Sequence, residues 1–232
     1  MQKNRGLSGS TLKIIAMISM LVDHTGEVLL RSILTGEAYI TAYKIMRLWI
    51  GRIAFPVFCF LLVEGFQRTG NRAKYAFRLF LFALISEIPF DLAFNGKIWD
   101  TGYQNVFFTL WIGLLMLTGM AEVEKRCRSI WIAFLGKAGI FLMAAFISEL
   151  ICCDYGAHGI IAIALLYLFR KNKPGQIIAG CVAFLWEVTA PLAFIPVAFY
   201  NGKRGLKLKY VFYVFYPAHL LILHFLRVWI FI

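Results

Sequence analysis

Apolar runs of nearly twenty residues recur along the whole chain, and a helix needs about 20 apolar residues to cross a bilayer. The composition agrees, because 61% of the 232 residues are hydrophobic and only 16% are charged. Soluble domains are about half apolar and about a quarter charged. The sequence therefore predicts an all-α integral protein of the cytoplasmic (inner) membrane, surrounded by lipid. No linker divides it, so residues 1–232 are expected to form one domain.

The apolar runs predict eight helical stretches joined by short loops. They are Leu12–Leu30, Ile45–Phe66, Tyr75–Phe94, Val106–Met120, Ile130–Ile151, Ala157–Phe169, Ile177–Phe199 and Tyr210–Phe231. The stretch Ile177–Phe199 is ambiguous, because it has the length of one span but Glu187 and Pro191 interrupt its middle.

The distribution of Lys and Arg orders these stretches across the membrane. Basic residues cluster at the N-terminus and in "QRTGNRAK", "EKRCR", "RKNKP" and "NGKRGLKLK", whereas the alternate loops around Trp99 and Asp154 are nearly free of them. Cytoplasmic loops carry the excess of Lys and Arg, so the N-terminus is expected in the cytoplasm. The last basic loop can then be cytoplasmic only if Ile177–Phe199 enters and returns. We therefore favour a short hairpin turning near Thr189–Pro191, with nine segments in all and eight as the alternative.

The net charge of +12, from 24 basic and 12 acidic residues, follows from the same basic loops. In a soluble protein this excess would suggest nucleic acid, but here it is expected to set topology. The five cysteines form no CxxC pair and no ligand spacing, so no metal site is expected.

Several ionisable residues fall inside the apolar runs, where each is costly unless it is paired or hydrated. The first run holds "LVDHTGEVLL", and His24 lies roughly 16 Å beyond Lys13, near the middle of a bilayer core of about 30 Å. Asp23, His24 and Glu27 share one helix face. His219 lies at a similar depth in the last run. Such residues mark functional paths by default.

Other polar residues are expected in the outer half of the membrane, as candidates for binding a substrate. Arg52 is expected to be a counter-ion to Asp23 or Glu27, and Pro56 should kink the same helix. The remaining candidates follow from "SEIPFD", "QNVFFTL" and "DYGAHG", and they are Glu87, Asp91, Asn105, Asp154 and His158.

Six motifs occur in order across the chain: "LKIIAMISMLVDHTG", "GRIAFPVFCFLLVEGF", "SEIPFDL", "NVFFTL", "DYGAHG" and "YPAHL". Together they resemble the TraX family, membrane proteins associated with N-terminal acetylation of conjugative pilin. That family is similar to the wider transmembrane acyltransferase superfamily, whose members take acetyl from cytoplasmic acetyl-CoA and pass it to an acceptor at or beyond the membrane. The resemblance implies that His24 corresponds to the superfamily's intramembrane catalytic histidine.

The residues fit that chemistry, since acetyl transfer to an amine needs a base and a donor to the oxyanion. His24 is the expected base, with Asp23 or Glu27 orienting its ring and Arg52 or Asn105 contacting the oxyanion. His219 could act as a second base or carry the acetyl group. The phosphates of acetyl-CoA are expected at the cytoplasmic cluster of Arg68, Arg72, Lys74 and Arg78.

The acceptor is left open by the sequence. A peptide or protein N-terminus resembling pilin is expected from the resemblance, and O-acetylation of an envelope saccharide is an alternative. A proton-coupled transporter is a rival function, because midplane acids, histidines and an interrupted hairpin suit one. Carriers commonly show an internal repeat, but the sequence has no second copy of "DH" or "GRIAFP" that would indicate one.

Overall fold

The computed structural model describes residues 6–31, 36–207 and 209–231, and these fold as helices joined by short loops. Over these ranges the only β-type pairings are two isolated bridges, Leu7 with Tyr200 and Gln104 with Cys153. The helices are α1 Gly9–Thr25, α2 Gly36–Tyr43, α3 Ala54–Arg68, α4 Arg72–Phe94, α5 Val106–Arg126, α6 Ile130–Leu150, α7 Gly156–Leu168, α8 Lys173–Ala183, α9 Phe194–Ala198 and α10 Lys209–Phe231.

Four of the described helical stretches are long and apolar enough to cross a membrane. They are Ile40–Arg68, Val106–Arg126, Ile130–Leu150 and Tyr210–Ile230. The prediction of an all-α fold with helices that can span a membrane is therefore confirmed for the described residues. The total of eight or nine segments stays a prediction.

Side-chain caps fix where several helices begin, because the first N–H groups of a helix have no partner within it. Ser8 accepts from the Thr11 N–H at 3.2 Å, and Asn71 accepts from the Lys74 N–H at 2.8 Å. Asn105 accepts from the Phe107 N–H at 3.0 Å. The predicted starts at Leu12 and Tyr75 were accordingly three residues late, since the apolar pattern begins only after the cap.

The basic loops meet at one end of the bundle, as the charge distribution predicts. The N–H groups of Gly9 and Ser10 donate to the carbonyls of Lys203 and Arg204 at 2.8 and 2.9 Å. Arg68 donates to the carbonyl of Gly202. We call this the basic end.

The loops that are poor in Lys and Arg meet at the opposite end. There the Gln104 N–H donates to the Cys152 carbonyl at 2.9 Å, and the Asp154 N–H donates to the Gln104 carbonyl at 2.8 Å. Successive loops thus alternate between the two ends, as a bundle that crosses the membrane repeatedly requires.

A hairpin is present within Ile177–Phe199 as predicted, but it turns before the expected Thr189–Pro191. It leaves the basic end in α8, turns through residues 184–189, and returns through a 3-10 turn at Ala190–Ala193 and α9. Lys173 Nζ donates to the Tyr200 carbonyl at 2.9 Å, so both limbs start and finish at the basic end. Gly180 allows the limbs to touch, because a Cβ there would lie 2.1 Å from the Phe194 ring.

Residues 45–66 are helical as predicted, within the stretch Ile40–Arg68, but this helix is not regular. After α2 the chain forms a π-helix at Lys44–Ile50 and a 3-10 turn at Gly51–Ile53 before α3 begins. Pro56 explains part of the break, since it has no N–H for the carbonyl four residues earlier. A second π-helix, Gly26–Leu30, follows α1. Such segments often occur at functional sites.

The orientation of the fold can be tested by labelling cysteine in intact cells. Cys152 is exposed at the end opposite the basic end, whereas its neighbour Cys153 is buried. A membrane-impermeant maleimide applied from outside should therefore modify the wild type and the Cys153→Ala variant, but not Cys152→Ala. Modification of a cysteine placed at Gly202 instead would show that the orientation is reversed.

Candidate active site

Two histidines from opposite ends of the sequence meet inside the bundle. Nδ1 of His24 on α1 and Nε2 of His219 on α10 lie 2.7 Å apart, within hydrogen-bond distance. His219 is buried. Phe94 packs edge-on against the His24 ring at 5.2 Å between centroids.

The hydrogen bonds of the histidine pair define which nitrogen is free. His219 Nδ1 lies 2.7 Å from the carbonyl of Phe215, and a carbonyl can only accept, so Nδ1 carries the hydrogen. In a neutral His219 the Nε2 atom is then an acceptor, and His24 Nδ1 donates to it. This assignment leaves His24 Nε2 as an unprotonated nitrogen, which is the form that a general base requires.

A cavity of about 400 Å³ opens at the basic end and extends toward the histidine pair. Its mouth is lined by Lys13, Arg68, Arg78 and Arg204, and its inner end by Met20, Phe107 and Tyr216. The Tyr216 ring lies 6.1 Å from that of His24 and 5.8 Å from that of His219. One side chain therefore separates the cavity from the pair.

Two of the four residues predicted to bind the coenzyme line this cavity, and two do not. Arg68 and Arg78 line it, whereas Arg72 packs over the Phe66 ring at 4.4 Å and Lys74 is exposed outside it. The four residues were grouped because they are close together in the sequence, but successive residues at the start of α4 point in different directions.

A cluster of charges lies nearer the opposite end, around Arg52. Its guanidinium is 2.8 Å from Glu187 Oε1, and it also interacts electrostatically with Asp23. The salt bridge of Arg52 is therefore with Glu187, which the turn of the hairpin brings to it, while Asp23 remains an electrostatic partner as the expected counter-ion role requires.

The expected orienting role of Asp23 or Glu27 toward His24 is absent from the described contacts. Glu27 pairs with Arg47 and, at 3.0 Å, with Arg31. The π-helix that begins at Gly26 changes the helical period, so Glu27 leaves the face of His24. His219 occupies the orienting position instead.

Asp23 packs against the backbone of the broken second helix. A Cβ at Gly51 would lie 2.5 Å from Asp23 Oδ1, so only glycine leaves room for the carboxylate there. Among the described residues, Asp23 Oδ1 and Glu187 Oε2 are buried and have no hydrogen-bond partner.

Glu87, Asp91 and Asn105 form a separate buried network. Asn105 donates to Glu87 and, at 2.8 Å, to the carbonyl of Ala83, while Asp91 accepts from the Asp100 N–H at 2.8 Å. Because both hydrogens of the Asn105 amide are used, this side chain is not available for an oxyanion. None of the three lines the cavity.

Asp154 and His158 lie where α7 begins. Tyr103 donates to Asp154 at 2.6 Å, and Asp154 interacts electrostatically with Arg52 and Asp23. The ring of His158 is exposed and packs 4.8 Å from that of Trp186 at the hairpin turn. Asp154 thus joins the charge cluster, and His158 lies beside it.

Comparison with known proteins places the chain in a family. The model of the family described as "TraX protein" matches residues 8–227. The chain belongs to the TraX family. A curated relative, "Probable fimbrial assembly protein FimC, serogroup H1" of Dichelobacter nodosus, is 29% identical over 256 aligned positions, which cover 96% of this chain and 97% of the relative. No solved structure matches this TraX-family protein.

The sequence did not single out Glu187, Lys13 or Arg204 as residues of the candidate site. Glu187 was noticed only as an interruption of a span, although a lone acid in an apolar run is itself a sign of a buried partner. Lys13 and Arg204 line the cavity mouth but were assigned to topology. Their convergence depends on the contact between the N-terminus and the 199–206 loop.

The Arg52–Glu187 pair can be tested by a double-mutant cycle of melting temperature in detergent. Arg52→Gln or Glu187→Gln alone should destabilise strongly, since a buried charge that loses its partner costs about 3–5 kcal/mol. The double variant should be more stable than the sum of the single losses implies. Arg31→Gln is the control, because Arg31 is 69% exposed in its pair with Glu27 and should have little effect. Additive losses at Arg52 and Glu187 would show that the two residues are not coupled.

Proposed function

We propose that this TraX-family protein is a membrane acetyltransferase that moves acetyl from cytoplasmic acetyl-CoA to an amine at the outer side of the membrane. The observation that carries the proposal is the cavity that leads from a basic mouth to Tyr216, against the His24–His219 pair. A path from an aqueous face to a paired intramembrane histidine suits a reaction between substrates from the two sides.

The cavity has the chemistry of a site for an acyl-coenzyme A. Lys13, Arg68, Arg78 and Arg204 at its mouth can bind phosphates, for which Arg and Lys are the usual partners. The interior of the cavity is lined mainly by apolar and aromatic side chains, among them Phe58, Leu61, Leu110 and Phe107. An acyl-coenzyme A has an extended, weakly polar arm that ends in a thioester, and this arm fits a cavity that changes from a basic mouth to an apolar interior.

The charge cluster near the opposite end has the chemistry of a site for an ammonium. Asp23, Asp154 and Glu187 all interact electrostatically with the single guanidinium of Arg52. Arg47 also acts on Asp23 and Glu187, so the three carboxylates share two guanidinium groups, and two of their oxygens have no partner among the described residues. A protonated amine would supply the missing charge and hydrogen bonds, whereas a neutral hydroxyl would supply no charge.

A pilin-like peptide is the acceptor that the relative favours. The Dichelobacter nodosus protein is named a probable fimbrial assembly protein, and fimbriae are assembled from protein subunits that carry a free N-terminal amine unless it is modified. We propose the N-terminus of such a subunit as the acceptor.

In the proposed reaction a carboxylate of the charge cluster first takes one proton from the bound ammonium, which frees the lone pair of its nitrogen. His24 Nε2 then removes a second proton as this nitrogen attacks the thioester carbonyl carbon. A C–N bond forms and the carbonyl oxygen becomes an oxyanion. The oxyanion then collapses, the C–S bond breaks, and coenzyme A leaves as a thiolate that takes a proton from His24. His219 holds the His24 ring through the Nδ1 hydrogen throughout.

The proposal is tested with purified protein in liposomes supplied with labelled acetyl-CoA. A peptide with a free N-terminus should become acetylated, while the same peptide with a blocked N-terminus and a saccharide that offers only hydroxyls should not. Acetylation of the saccharide alone would overturn the amine acceptor. Movement of a solute without acetyl transfer to any acceptor would instead support a transporter.

His24 should be the side chain on which the rate depends most. Loss of a general base typically costs about 10²–10⁴-fold in rate, so His24→Gln should lose nearly all acetylation while still binding coenzyme A. His158→Gln is the matched control, since this histidine is exposed and outside the pair. A His24→Gln protein that melts normally and retains more than about a tenth of the rate would place the base elsewhere.

Two substitutions distinguish whether His219 only positions His24 or acts as a second base. In His219→Gln the side-chain carbonyl can still accept the hydrogen of His24 Nδ1, whereas in His219→Leu nothing can. If His219 only positions His24, the Gln variant should be at least about ten times faster than the Leu variant, in line with the cost of losing a hydrogen bond to a charged group. Equal, near-complete loss in both variants would show that His219 itself takes part in proton transfer or carries acetyl.

A further inference from the structure

Tyr216 forms the wall between the cavity and the histidine pair. It is 3% exposed, yet it lines the cavity from α10, one turn before His219. Its ring packs edge-on against Phe107 at 5.2 Å and contacts both histidine rings. A thioester that reached the inner end of the cavity would therefore lie next to Tyr216 and near His24.

The Tyr216 hydroxyl lies beside the start of α5. It interacts with the backbone N–H of Val106, the first residue of this 21-residue helix. The N-terminus of a helix carries a partial positive charge, and a hydroxyl that interacts with it becomes a better donor. Within the described ranges no carbonyl or carboxylate accepts the phenol hydrogen, so that hydrogen is available to a ligand.

The two residues expected from the sequence to contact the oxyanion are already engaged. Asn105 uses its amide hydrogens on Glu87 and on the Ala83 carbonyl, and Arg52 is paired with Glu187. Neither lines the cavity, whereas Val106, Phe107 and Tyr216 line its inner end together. An oxyanion donor must lie within hydrogen-bond distance of the thioester oxygen, and of Asn105, Arg52 and Tyr216 only Tyr216 lines the cavity.

We infer that Tyr216 is a catalytic residue that donates its phenol hydrogen to the carbonyl oxygen of the acyl thioester. As the amine attacks, the carbonyl π electrons move onto this oxygen, and the hydrogen bond strengthens. When the C–S bond breaks, the electrons return and the phenol keeps its hydrogen. This role rests on the proposed acetyl transfer and deepens it, because it assigns the recognition of the acyl group to α10 and the start of α5.

Tyr216→Phe removes the hydroxyl and keeps the ring that packs against Phe107. Loss of one oxyanion donor costs about 10²–10³-fold in kcat, so we expect that fall in kcat with the KM for acetyl-CoA changed less than about threefold. Tyr213→Phe is the matched control, since Tyr213 lies one turn earlier on α10 and lines the same cavity, but its hydroxyl contacts Arg78 at the mouth. This control should retain kcat and raise KM instead.

Melting temperature and coenzyme A binding of both variants distinguish chemistry from folding. If Tyr216→Phe melts and binds like the wild type, a hundredfold loss of kcat supports the inference. If it keeps more than about a third of the wild-type kcat, the inference is wrong while the acetyltransferase stands. If the wild type transfers no acetyl from acetyl-CoA to any acceptor, the proposed function fails and the inference falls with it.

Discussion

The hydrogen bond between His24 and His219 joins residues that are 195 positions apart in the chain, and the rest of the site is arranged around it. It links α1 to α10 where water is scarce, and there an unpaired imidazole would be costly. Because the Phe215 carbonyl fixes the hydrogen on His219, the same bond fixes the hydrogen on His24. One contact thus defines both the packing of two helices and the nitrogen that is free to react.

Departures from regular helix surround this pair. The π-helix at Gly26–Leu30 directs Glu27 toward Arg47, and the break at Gly51–Ile53 makes room for Asp23 beside the glycine. The hairpin turn adds Glu187 to Arg52. Irregular backbone inside a membrane is tolerated where it lines a cavity or is buried in protein, and here it brings Asp23, Arg52 and Glu187 into one cluster.

Much of this fold could be predicted from the sequence, since apolar length and basic loops determine the helices and their alternation. That His24 and His219 lie at a similar level was also predictable, because a helix converts residue count into distance. The interaction partners of the site residues could not be predicted in this way. Glu187 reaches Arg52 only through a hairpin whose return depends on Gly180 and Phe194, and Tyr216 was one aromatic residue among many in "YVFYVFYPAH". The spacing of apolar residues and the distribution of charge predict the helices. Which residues of distant helices meet depends on how the helices pack, and the sequence does not show that.

The cavity at the basic end is the proposed site of the acyl donor, and protection of a cysteine on its wall from alkylation measures whether the donor binds there. Leu110→Cys, in a variant that lacks the native cysteines, places a thiol on the cavity wall of α5, while Leu115→Cys on the same helix faces lipid. Saturating acetyl-CoA should slow alkylation of position 110 at least about tenfold and leave position 115 unchanged. Equal alkylation of position 110 with and without acetyl-CoA, in protein shown to bind it, would contradict the account.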